Sequence, residues 1–496
     1  LPSDDSRTPF KDLDKDLGRI GSVEFAAQTV GRPLVAPAIA FAFIALAAAI
    51  ASLFSGLTHT PLLIVVAAAM SAYMGLNIGA NDVANNMGPA VGARVMTMGG
   101  ALVLAAVSET AGALLAGGDV VGTLAEGIIA PDSVASPRLF IIAMMAGLVS
   151  SAVWVNIATF LGAPVSTTHS VVGGVLGAGL VAAGASAINW PMLGAIAASW
   201  MVSPLAGGAV AALILAFLEW RIVRKDDIIA AARVWVPASV GLMAGAFTTY
   251  IALRGLPRVV PISFPTAASA GVAAGLAAAL ASVPVVRRRA AGLENRKRAL
   301  KTLFGLPLII AAALLSFAHG ANDVANAVGP LAAIVQVAMA GNVSADVALP
   351  FWVLILGAAG ISLGLFLFGP RLIRMVGEEI TKLNPVRGFC IALATAITVI
   401  TASGLGIPVS TTHIAVGGVF GVGFYREWAE ERRAKDKAPK EGDGEKKSKR
   451  QPAEERRRRR LVRRSHVLTI FAAWVITVPA TALLSAALFV IINALD

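Results

Sequence analysis

Two aspartates sit inside apolar sequence, each within the same string: Asp82 in GANDVANNMGP (79–89) and Asp323 in GANDVANAVGP (320–330), which agree at nine of eleven positions. On a helical turn Asn81 and Asn85 share a face with the carboxylate beside them, as do Asn322 and Asn326. Clustered carboxylate and amide oxygens suit hard cations, so Asp82, Asn85, Asp323 and Asn326 are candidate cation ligands, for sodium or a proton. A carboxylate in hydrocarbon costs about 2.5 to 3.5 kcal/mol on insertion scales, so a duplicated one calls for compensation or a function. Small-residue packing explains many of the 49 glycines, and interhelical hydrogen bonding could explain the asparagines. Neither explains a repeated acid. Glu109 is a third such acid, with no charged counterpart in the second copy, and its membership of the site is open.

A second pair of strings follows. LGAPVSTTHSVVGGVLGAGL (161–180) and LGIPVSTTHIAVGGVFGVGF (405–424) agree at fourteen of twenty positions. Pro164 and Pro408 end a helix, and Ser166, Thr167 and Thr168, or Ser410, Thr411 and Thr412, start the next. A helix N-terminus within a membrane presents unpaired N–H groups and partial positive charge, and three hydroxyls add donors, so a tetrahedral oxyanion fits there. The plainer alternative is simple capping of a half-helix. Two roles are open to His169 and His413: proton shuttling, or donation to a backbone carbonyl.

Charge decides between these uses. No Lys or Arg lies in either motif core. An anion approaching two carboxylates meets repulsion that helix dipoles cannot offset, so cations must enter with it. Cotransport is the expected mechanism.

These residues need elements that hold them in a bilayer. The chain has 496 residues, of which 57% are hydrophobic and only 14% charged, which excludes an ordinary soluble multidomain protein. Uncharged runs of bilayer length recur, and thirteen spans are expected, near 34–54, 61–92, 98–117, 138–161, 164–184, 190–218, 234–254, 263–285, 302–340, 349–370, 388–404, 408–424 and 466–492. Taking alternate connections as one side places 37 of the 41 basic residues there, which makes the N-terminus cytoplasmic and the C-terminus external. The acid-bearing first 33 residues lack a cleavable signal's design and read as a cytoplasmic tail in the inner (cytoplasmic) membrane of a cell. Arg456 to Arg460, in the 425–465 loop, read as a topology anchor in contact with lipid headgroups rather than a nucleic-acid site. The single cysteine, Cys390, permits no disulfide within the chain.

The expected organisation is a tail (1–33), a first span (34–60), repeat 1 (61–218), linking spans and basic loops (219–301) and repeat 2 (302–492). Two spans separate the copies, so they enter from opposite sides. The fold class is an all-α polytopic membrane protein of two inverted-topology repeats, with broken helices or hairpins at the midplane. Each GANDVAN string, bracketed by glycines and followed by Pro89 or Pro330, is expected to break its helix.

The paired GANDVAN and PVSTTH strings resemble those of the inorganic phosphate transporter (PiT) family, over roughly residues 61–218 and 302–492. The resemblance implies a phosphate symporter coupled to sodium ions or protons, no cofactor, an optional oligomer, and a site where the copies meet. Carried over by motif, Asp82, Asp323, Asn85 and Asn326 hold cations, while Asn81, Asn322, Ser166 to Thr168 and Ser410 to Thr412 contact phosphate. Asn86, where copy two has Ala327, would add a polar contact on one side only. Some relatives resemble sulfate permeases, so sulfate stays an alternative; phosphate also donates protons, and sites rich in acceptors favour it. Paired intramembrane aspartates also serve aspartyl proteases, and Ser166 with His169 hints at a hydrolase. Duplication of the whole neighbourhood argues against both, since one catalytic centre does not require it. An anion channel would conduct without saturable cation dependence.

Overall fold

The computed structural model describes residues 34–55, 61–129, 133–161, 165–255, 262–340, 350–375, 384–436 and 464–495. The expected tail, Pro164 and Arg456 to Arg460 lie outside them.

Helix starts follow capping chemistry. The first helix, α1, is Leu34–Ser55, and α2 is Pro61–Gly92. Thr97 accepts the Gly100 N–H ahead of α3 (Met98–Ala116), which a turn at Gly117 separates from the short α4 (Gly118–Glu126). Ser136 caps α5 (Pro137–Phe160), whose first residue is a proline preset for a helix. Next come α6 (Thr167–Ala183), α7 (Trp190–Leu218), α8 (Ile228–Arg254) and α9 (Phe264–Ala290). The four-residue α10 (Leu300–Leu303) leads into α11 (Gly305–Ala340), followed by α12 (Phe351–Met375), α13 (Pro385–Gly404), α14 (Thr411–Asp436) and α15 (Arg464–Leu495). The described residues form no sheet, only one bridge between Ile129 and Ile188.

Among the described residues, eleven helices are long and apolar enough to cross a membrane. They match eleven of the thirteen expected spans. The other two are α6 and α14, the helices that begin at PVSTTH. At 17 residues α6 is about 25 Å long, short of a ~30 Å hydrocarbon core. The second half of α14 is charged, with Arg426, Glu427, Glu430, Glu431 and Arg432. Several boundaries move: α14 runs on to Asp436 rather than ending at 424, and α8 starts at Ile228 rather than 234, where the Asp227 carboxylate accepts the Ala230 N–H at 2.9 Å and starts the helix early.

The GANDVAN strings do not break their helices. Residues Pro61–Gly92 and Gly305–Ala340 are continuous, with Pro89 and Pro330 inside them. Pro89 lies in the last turn of α2, and Pro330 is buried within α11. The glycines serve close approach instead. A Cβ on Gly79 would collide with the Ile361 carbonyl oxygen of α12, and one on Gly320 with the Glu109 carbonyl oxygen of α3. The breaks fall at the second motif, between α5 and α6 and between α13 and α14.

This packing exchanges partners between the copies. Helix α2 packs on α12 and its counterpart α11 on α3; α7 packs on α14, and α15 on α6. The register repeats as well. A Cβ on Gly112 would strike the Phe317 carbonyl and one on Gly364 the Leu76 carbonyl, while Gly117 faces Val324 as Gly369 faces Val83. Thr110 and Ser362, equivalent in this register, hydrogen-bond each other at 2.8 Å. Neither copy completes its own core, so the motifs of both meet in one place.

Candidate functional site

Asp82 on α2 and Asp323 on α11 are both fully buried. The second motif's threonines reach across to them. Thr412 donates to Asp82 Oδ1 at 3.0 Å, and its counterpart Thr168 lies 3.5 Å from Asp323 Oδ1 and 3.0 Å from the Val409 carbonyl oxygen, sharing its proton between them. The asparagines follow suit. Asn85 donates to Thr412 Oγ1 (2.8 Å) and Asp82 Oδ1 (3.3 Å), and Asn326 to Thr168 Oγ1 (3.0 Å) and Asp323 Oδ1 (2.6 Å). Each aspartate is therefore clasped by an asparagine of its own helix and a threonine of the other copy. Thr167 Oγ1 stands between the two acids, 3.3 Å from Asp82 Oδ2 and 3.4 Å from Asp323 Oδ1.

Ser166 and Ser410 act as caps. Their Oγ atoms accept the His169 and His413 N–H groups at 3.2 and 3.3 Å. Asn81 and Asn322 turn toward the helix breaks, where their amides donate to Thr159 Oγ1 and Ser403 Oγ, both at 2.9 Å. Asn322 also accepts the Val409 N–H at 3.2 Å, which fastens the residues ahead of α14. The rings of His169 and His413 meet edge to face at 4.5 Å, with Trp200 against His169 at 3.9 Å.

Three further residues join on one side only. Asn86 donates to Glu109 Oε1 at 2.8 Å, the one-sided polar contact expected of that position. Glu109 Oε1 lies 3.3 Å from Nδ1 of His319, whose Nε2 is 3.3 Å from Asp323 Oδ2 and 3.8 Å from Asp82 Oδ2. Their counterparts are Ala327, Ile361 and Ile78, none of which can make such contacts. Sequence reasoning missed His319. Its signal was a histidine directly ahead of the second motif where the first copy has isoleucine.

The donor set fits a small hard cation. Asp323 Oδ2 and Asn326 Oδ1 are buried and accept no hydrogen bond. One atom each from Asp82, His319 and Asp323 lie within 4.8 Å of one another. Carboxylate, amide and hydroxyl oxygens at this density are the usual ligands of such ions.

A helical bundle whose described residues hold eleven apolar helices of spanning length, built from two copies around a buried polar centre, has the architecture of a multi-pass membrane transporter. The model of the phosphate transporter family matches residues 78–485, and the chain belongs to that family. A Helicobacter pylori (strain J99) protein named "Putative phosphate permease" is 41% identical over 97% of this chain and 99% of its own length. A Thermococcus kodakarensis protein of the same description is 35% identical over 84% of this chain and 94% of its own. Among solved structures, one named "The sodium-dependent phosphate transporter" matches with a TM-score of 0.78 and 33% identity, covering 88% of this chain and all of that one.

Proposed function

We propose that this transporter imports inorganic phosphate across the cytoplasmic membrane by symport with sodium ions. The observation that carries the reading is the enclosure of Asp82 and Asp323 together, each fully buried and each clasped by a threonine of the other copy. Glu109 adds a third acid, and even an imidazolium at His319 would leave two of the three uncompensated. A phosphate ion can share that space only with cations that neutralise the carboxylates. Asp82, Asn85, Asp323 and Asn326 hold the cations, which bridge to phosphate. Thr167, Thr168, Thr411 and Thr412 and the N-termini of α6 and α14 face the phosphate, as helix starts do for anions. Ser166 and Ser410 form those starts, and Asn81 and Asn322 hold the breaks that expose them.

The sodium dependence by which the similar solved structure is named supports sodium over protons as the coupling ion. The basic connections support a cytoplasmic N-terminus. The test is phosphate uptake into proteoliposomes of the purified protein, with sodium and proton gradients imposed separately and sulfate as competitor. Uptake driven by sodium and resistant to sulfate is expected. Equal accumulation with every cation gradient dissipated would overturn the reading.

A further inference from the structure

A cavity of about 830 Å³ lies between α1, α2, α5 and α12, apart from the carboxylate cluster. Most of its wall is apolar, but Tyr73, Asn77, Asn156 and Thr159 line it, together with Arg371 and Arg374 at the end of α12. No carboxylate lines it among the described residues. Its polar groups form a chain. Asn156 donates to Asn77 Oδ1 at 2.9 Å, and Asn77 donates to the Tyr73 carbonyl at 2.9 Å. Thr159 accepts from Asn81, the residue beside Asp82, so one hydrogen bond separates this wall from the central site.

The duplicated bundle does not require these residues. The second copy has Leu314, Ala318 and Ile400 where the first has Tyr73, Asn77 and Asn156; only Thr159 has a polar counterpart, Ser403. Helix packing at equivalent positions is satisfied by hydrocarbon, and amides within a membrane bundle are costly unless used. The charge is one-sided too. The counterpart of Arg371 in the shared register is Asp119, which pairs with Arg254 at 3.3 Å. Two guanidiniums with no lining acid among the described residues attract a multiply charged oxyanion, which Arg binds through parallel N–H donors, and repel a cation. The glycine contacts between α2 and α12 pack the helix that carries the arginines directly against the helix that carries Asp82.

We infer that this cavity is a phosphate antechamber: an oxyanion subsite at Arg371 and Arg374, leading past Asn156 and Asn77 to the central site, used by the anion and not by the cation. The inference rests on the transport reading above. An anionic lipid headgroup carries the same chemistry as free phosphate, so the test must separate them.

The experiment uses full-length Asn156→Cys protein in phosphatidylcholine vesicles; Cys390 is wholly buried, so the new thiol is the one that reports. A negatively charged thiosulfonate should modify it about tenfold faster than a positively charged one, as expected of a focused positive field. Inorganic phosphate should slow the reaction without sodium, and should still do so when Asp82→Asn is added. Arg371→Gln with Arg374→Gln should erase both effects and raise the KM for phosphate severalfold, with sodium dependence unchanged. Modification indifferent to reagent charge and to phosphate would overturn the antechamber. So would protection by phosphatidylglycerol vesicles alone, which would assign the cavity to lipid. Should the unmodified protein neither bind nor accumulate phosphate, the transport reading itself falls; should it do both while the thiol goes unprotected, only the antechamber falls.

Discussion

The two copies of GANDVAN differ little in sequence and much in company. Around both aspartates the clasp is built from the same residue types: Asn85 with Thr412 on one side, Asn326 with Thr168 on the other. Beyond the clasp they diverge. Asn86, Glu109 and His319 form a connected polar arm, and their counterparts Ala327, Ile361 and Ile78 form hydrocarbon. Three departures from symmetry that look scattered in sequence are thus one structure, joined end to end. The shared part is what two equivalent half-sites need, and the arm makes the half-sites unequal.

Breaking the shared part should have the largest effect. Asp82→Asn or Asp323→Asn should abolish sodium-driven phosphate uptake in proteoliposomes, since truncating one member of a buried charged set costs about 2 to 5 kcal/mol. Both variants should still insert and elute normally from a sizing column, and uptake at the normal rate in either would contradict the site. Next comes the arm. His319→Ala leaves three acids together without their imidazole, and thermal unfolding in detergent should show a loss of about 3 to 5 kcal/mol. Adding Glu109→Gln should restore part of it, and a double variant no more stable than the single would argue against the contact.

Smaller effects sharpen the comparison. Thr412→Val and Thr168→Val each remove a hydroxyl donor to a buried carboxylate, worth about 1.5 to 3 kcal/mol. Isothermal titration with sodium should show both losing affinity to a similar degree; a strong effect in one alone would mean the clasps are not equivalent. Asn81→Ala and Asn322→Ala should differ, because Asn322 also secures the Val409 N–H. The second should cost more by about 1 kcal/mol in thermal stability, the worth of one further hydrogen bond. Removing Arg456 to Arg460 should leave phosphate affinity in place, and a collapse of affinity would give that loop a role in binding.

Much of this was legible in residue order alone. Bilayer-length apolar runs announce their own helices, and two strings repeated almost letter for letter announce a duplicated site. Asp82 and Asp323 were legible because an acid has no passive reason to lie in hydrocarbon. The helix break expected at GANDVAN does not occur: Gly79 and Gly320 look like breakers, yet they let α12 and α3 approach. Nothing local separates those two uses of glycine, since the difference lies in a partner helix far along the chain. His319 was passed over for the same reason, for its acids come from three different helices.

The sequence by itself determined the class of protein, the position of eleven long apolar helices, the duplication and the identity of the charged residues, because hydropathy and repetition are properties of residue order. Only the tertiary structure decided that each copy completes the other, with Thr412 on Asp82 and Thr168 on Asp323, and that Asn86, Glu109 and His319 touch. Contacts between segments hundreds of residues apart are set by which surfaces pack most closely, and close packing depends on shapes on both partners at once.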